Sequence, residues 1–144
     1  MSVRFLSSGA ALLLALSPMP AHAAACSSLP AEAGAQVDGF FAKLKADRAE
    51  AALDGILQTS PLWNNRAGAK EQLLAQMQAA LKVYGAVTGV ECVSEDSQGT
   101  MIVRQYWLAQ HKDMVTRWEF DFMRAANGWQ IGYFGFSDQL PTWF

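Results

Sequence analysis

Histidine and cysteine are the side chains that most readily do chemistry near neutral pH. This chain of 144 residues has two of each: His22, His111, Cys26 and Cys92. His111 falls in Gln110-His111-Lys112-Asp113, between two alternating runs, which predicts a solvated residue at a hairpin tip. No Cys/His/Asp cluster accompanies it at ligand spacing, so neither a metal nor a cofactor is expected. A Ser-His-Asp or Cys-His nucleophile is unsupported, and no Gly-rich phosphate loop follows a strand. Asp47 reads as a helix N-cap, with Glu50 three residues on completing a capping-box spacing. Asp38 and Asp54 read as surface residues, and are the carboxylates an acid–base enzyme would bring to a cavity mouth. Glu119 and Asp121, with Arg104 and Arg117, read as ion pairs worth little individually. Trp63, in the Pro61–Asn65 loop, either lines a pocket mouth or packs on the core edge.

The first 25 residues read as a secretory signal peptide. Arg4 gives a positive start, FLSSGAALLLALS an apolar core too short for a comfortable membrane span, and Pro18 and Pro20 a break. Ala21-His22-Ala23 is an A-x-A cleavage site, with Ala23-Ala24-Ala25 an alternative. The remainder, 26–144, is one domain's worth of chain. Without Arg4 and His22, eleven Lys/Arg and two His become ten and one, against thirteen Asp/Glu. That mildly acidic balance, without a basic cluster, argues against nucleic acid or anionic membrane as a partner. No later segment is long and apolar enough to span a membrane, so an exported, soluble mature chain is expected. Two fates are open for Cys26: a disulfide to Cys92, or lipid attachment, although Ala23 stands where a lipoprotein signal carries Leu. The disulfide is favoured; it closes a loop of about 65 residues and contributes about 3–4 kcal/mol.

The elements that position these residues change period midway. Val37, Phe40, Phe41 and Leu44 mark one face of a helix beginning at Ala31. Ala49, Leu53, Ile56 and Leu57 mark a second, ending near Thr59 because Pro61 disfavours helical geometry at Ser60. A third, about 67–84, presents Leu73, Leu74, Met77, Leu81 and Tyr84, with Gly85 at the C′ position. From there the period is two. Strands are predicted at about 87–95, 100–110, 113–124 and 129–136, with Asn127-Gly128 as a two-residue hairpin turn.

Register decides which side chains share a face, because a one-residue slip inverts every one. A two- or four-residue turn at 110–113 places Arg104 opposite Glu119, Val103 opposite Phe120 and Gln105 opposite Trp118. The last hairpin places Tyr133 opposite Phe122, and a four-residue loop at 96–99 places Cys92 opposite Val103. The face predicted to meet the helices carries Val90, Cys92, Val103, Gln105, Trp107, Met114, Thr116, Trp118, Phe120, Phe122, Ile131 and Tyr133, with no charge. The other carries Ile102, Arg104, Tyr106, Leu108, Arg117, Glu119, Asp121, Phe134 and Phe136.

Three helices followed by a four-stranded meander, closing on Gly128-Trp129-Gln130-Ile131-Gly132-Tyr133, resemble the NTF2-like (cystatin-like) superfamily over roughly residues 31–137. The resemblance is to its small exported bacterial members that have no assigned activity. It implies an α+β fold in which helices pack on a curved, cone-like antiparallel sheet around an apolar pocket. It also implies dimers built through the outer sheet face, here around Tyr106, Arg117, Phe134 and Phe136. The residues expected to line the pocket are Trp63, Gln105, Trp107, Thr116, Trp118, Phe120 and Tyr133. Gln105, Thr116 and Tyr133 can orient a ligand but cannot run a proton cycle. The expectation is a non-catalytic exported domain that binds a small apolar ligand or a protein partner. The alternatives are an isomerase- or dehydratase-like enzyme with a carboxylate at the cone mouth, and a dimeric assembly module.

Overall fold

The computed structural model describes residues 26–66 and 68–143. The expected leader and its cleavage sites lie outside the described residues, as does Ala67, where the third helix is expected to start.

α1 (Ala31–Lys45) follows Pro30, whose carbonyl accepts from the N–H groups of Ala33 and Gly34 at 3.0 Å each. It buries Ala33, Val37, Phe40, Phe41 and Leu44, the stripe its 3.6-residue period predicts. α2 (Ala49–Leu57) likewise buries Ala49, Leu53, Ile56 and Leu57, together with Ala52. Asp47 is not its cap: Arg48 takes that position, without a side-chain cap bond. Asp47 instead adopts a left-handed backbone, φ 56°, in the three-residue link between the two helices. Asp is among the few non-glycine residues that tolerate that geometry, so the tight turn outweighs the capping bond.

The expected loop at 61–65 is instead a single turn, α3 (Pro61–Asn64). Pro61 at the first helical position brings its φ already set, and extended Ser60 precedes it. The turn carries Trp63 inward to 9 % exposure. α4 (Ala69–Tyr84) starts after Gly68 (φ 77°) and stops at Gly85 (φ 86°), whose N–H bonds to the Leu81 carbonyl at 3.0 Å. Of its expected stripe only Met77 is buried. Leu73, Leu74, Leu81 and Tyr84 are half-buried, and Val83 is 67 % exposed.

β1 (Gly89–Gln98), β2 (Ile102–Gln110), β3 (Val115–Ala125) and β4 (Gly128–Ser137) form an antiparallel meander in chain order, so the helices precede the sheet in an α+β arrangement. The β2–β3 register differs from the expected one by two residues: Arg104 lies opposite Asp121, Val103 opposite Phe122 and Gln105 opposite Phe120. A slip of two preserves faces. Val103, Gln105, Thr116, Trp118, Phe120, Phe122 and Ile131 are accordingly buried.

Two bulges change the faces elsewhere. In β4 the turn is Ala126-Asn127, with Gly128 (φ 113°) opening the strand, and Ile131 pairs with Phe122. Gly132 is then left unpaired, because the next pair is Tyr133 with Asp121. The extra residue inverts everything after it. Tyr133, expected inside, is 48 % exposed, while Phe134, expected on an outer dimer face, is 2 % exposed. Phe136 stacks on Trp118 with ring centroids 4.7 Å apart, also on the inner side. In β1 a bulge at Val93 does the same: Cys92 pairs with Trp107, not Val103, and Glu95 pairs with Gln105. A carboxylate thus reaches the face expected to hold none.

The core is aromatic. Phe40 of α1 meets Phe41, Trp118, Phe120 and Phe134 at centroid distances of 5.2–5.5 Å, mostly edge to face. Cys26 and Cys92 form a disulfide with Cα atoms 6.1 Å apart, fastening the segment before α1 to β1.

Candidate functional site

The expected pocket residues separate into three groups. Thr116, Trp118 and Phe120 are core, at most 2 % exposed, and the rings of Trp118 and Phe120 pack against Phe40 of α1. Gln105 and Trp107 belong to a polar chain near the sheet's rim. The Trp107 indole N–H donates to Gln105 Oε1 at 3.0 Å, and Gln105 Nε2 donates to Glu95 Oε2 at 2.7 Å. The Ser28 backbone N–H donates to Glu95 Oε1 at 2.9 Å. Burial alone would raise the Glu95 carboxyl pKa; these hydrogen bonds outweigh it and hold the group below its ordinary value. Glu95 is therefore an anchor for the disulfide-bound segment, with both oxygens engaged. The third group is Trp63, buried at the core's edge, and Tyr133, which is exposed.

His111 is not a solvated turn residue. It is 5 % exposed, with Nδ1 2.8 Å from the Gly85 carbonyl and Nε2 3.0 Å from Thr116 Oγ1. The Trp118 indole N–H donates to that same oxygen at 2.8 Å. A carbonyl can only accept, so Nδ1 carries the proton. Thr116 then accepts from Trp118 and donates to Nε2, and a neutral imidazole satisfies every member. This chain ties the β2–β3 hairpin to the end of α4 and holds no carboxylate. Asp38 and Asp54 are exposed, and Asp54 is ion-paired with Lys70, so neither enters the core. Among the described residues no group of three or more His, Cys, Asp or Glu is placed to hold a metal ion.

On the outer sheet face Arg104 grips Asp121 through two hydrogen bonds of 2.8 and 2.7 Å and lies 3.0 Å from Glu119. Hydrogen bonding to Asp121 raises the Arg104 pKa further. Burial first, then Asp121, raises that of Glu119. The Arg117 guanidinium lies over the Tyr106 ring at 5.0 Å and the Trp143 ring at 5.6 Å, so the chain's end docks on this face.

The half-buried packing of α4 leaves a trough between that helix and β4, the last strand of the sheet. One end, about 340 Å³, is bounded by Trp63, Arg66, Gln72, Leu73, Tyr133 and Phe136. The Arg66 guanidinium sits 4.9 Å over the Trp63 ring. The Trp63 indole N–H, though buried, has no hydrogen-bond partner among the described residues. The other end, about 350 Å³, is bounded by Ala79, Ala80, Val83, Tyr84 and Asp138. Gln76 and Phe136 border both hollows, which lie side by side along α4. The Tyr84 hydroxyl closes the far end by donating to Asp138, which raises the phenol's pKa. Arg66, Gln76 and Val83 are absent from the residues expected to bind. The available signal is Val83, an apolar residue off the helix's buried stripe.

No protein-family model matches the chain, and a comparison with curated proteins finds no match.

Proposed function

We propose that this protein is an exported NTF2-like domain that binds a small ligand without transforming it, in the trough along α4 instead of inside the sheet. The observation that carries this reading is the unpartnered indole N–H of Trp63, a residue of the trough's wall whose ring lies under Arg66. A buried donor without an acceptor costs about 1–3 kcal/mol, and an incoming acceptor relieves that cost. The aromatic cluster around Phe40 fills the space where a cone-type pocket would lie. The order of elements and the apolar sheet face support the NTF2-like assignment. The apolar N-terminal stretch and the Cys26–Cys92 disulfide, a bond of oxidising compartments, support export.

The five tryptophans each give one indole cross-peak in a ¹H–¹⁵N spectrum, and Trp63→Phe identifies that of Trp63. Titration with a panel of small amphiphiles is expected to move it saturably. Movement confined to the Trp107 and Trp118 peaks would return the site to the interior, and an inert spectrum would sink the reading.

A second reading, self-association through the outer sheet face, is favoured by the exposure there of Ile102 and Tyr133 around the Arg104 ion pairs. With Phe134 and Phe136 turned inward, Tyr106 and Arg117 are what remain of the expected dimer face. Light scattering at micromolar concentration tests it: a dimer that Tyr133→Ser and Ile102→Ser dissociate supports it, and a monomer ends it.

A further inference from the structure

Taking the trough as the binding site, its two ends differ in what they ask of a ligand. The Trp63–Arg66 end offers donors. Guanidinium has five N–H groups and indole one, and neither group accepts. No Asp or Glu bounds this end, and among the described residues Arg66 makes no ion pair. The Arg66 guanidinium lies over the face of the Trp63 ring, and the indole nitrogen of that ring is unpartnered, so both donors belong to the same wall of the trough. Gln72 adds an amide from α4. A group with several acceptor oxygens and a negative charge complements that arrangement, and a neutral hydroxyl does so poorly.

Beyond Gln76 the walls change character. Ala79, Ala80 and Val83 on α4 face Phe136 on β4, and Val83 is the most exposed large apolar side chain among the described residues. These side chains give this end an apolar wall beside the polar Tyr84 and Asp138. The far end holds Asp138, which repels a second anion and fixes the direction of a bound chain.

We infer that the trough binds a monocarboxylic acid with an unbranched hydrocarbon tail, its carboxylate at Arg66 and the Trp63 indole N–H and its tail over Phe136 toward Val83. The inference deepens the binding reading above and rests on it. A trough of a few hundred Å³ falls in the range of small-molecule sites. Because it is open along its length, affinity is modest and comes from matching both ends at once.

The test uses the chain from Cys26 onward, oxidised, with octanoate, 1-octanol and acetate as probes and the Trp63 indole cross-peak as readout. Octanoate is expected to shift the peak saturably, with octanol and acetate each at least tenfold weaker. Arg66→Gln is expected to weaken octanoate at least tenfold while leaving the melting temperature unchanged. Lys82→Gln, which removes a charge from the same helix outside the trough, is expected to leave binding unchanged. If octanol equals octanoate and Arg66→Gln is silent, the carboxylate assignment fails and the binding site stands. If other amphiphiles move the Trp63 peak but octanoate does not, the acyl chain is the wrong class. If nothing moves it, both readings fall together.

Discussion

α1 and α4 are nearly equal in length, 15 and 16 residues, and are used in opposite ways. α1 buries five residues, and Phe40 alone meets four aromatic rings. α4 buries Met77 alone, although it carries four leucine or valine side chains besides. The inner face of the sheet is largely covered by α1, so α4 is left beside the end strand with apolar surface to spare. One helix holds the domain together, and the other lends it a surface. A helix richer in apolar residues than its packing requires is where binding is to be sought.

That contrast can be broken by measurement. Phe40→Ala is expected to cost about 3–5 kcal/mol by urea unfolding, and Met77→Ala about 2 kcal/mol. Equal losses would mean α4 is as deeply built into the core as α1. Separating Cys26 from Cys92, by reduction or Cys92→Ala, is expected to cost about 2–4 kcal/mol. A loss under about 1 kcal/mol would mean the lead-in to α1 holds to β1 without the bond.

Glu95 sharpens the same side of the comparison. Its carboxyl lies below its ordinary 4.5 in the folded protein, so the ionised form favours the fold. That contribution is complete above about pH 4.5 and disappears as pH falls through the depressed value. Glu95→Gln should flatten the acid limb of stability against pH; an unchanged limb would remove Glu95 from the anchor. At the other extreme, Val83→Thr on α4 is expected to change stability by less than about 0.5 kcal/mol. Amide exchange should run faster along α4 than along α1, and the reverse order would contradict the packing.

Much of α1, α2 and the sheet's inner face is legible in the sequence because a single period, 3.6 or 2, runs through each stretch without interruption. The faces of β2 and β3 follow from alternation even where the register does not, since a slip of two leaves parity unchanged. Bulges escape this logic. Val93 carries no mark at all, and Gly132 only the hint that glycine within a strand gives. Asp47 is misread because a cap and a left-handed turn residue draw on the same side chains. His111 is misread because loop polarity says nothing of what folds back over a hairpin, here Gly85 and the end of α4. The trough lies where α3 and α4 meet β4, which is far from them in the chain, and only Trp63 and Tyr133 of its walls are foreseeable.

Gly132 sets the phase of the last strand. With it, Phe134 and Phe136 point to the core and Tyr133 to the surface; remove one residue there and those assignments trade places. A β-carbon at that position meets nothing closer than the Met123 sulfur at 3.4 Å, so Gly132→Ala should fold while deletion of the same codon should not. The strand tolerates a change of identity at this position far better than a change of count.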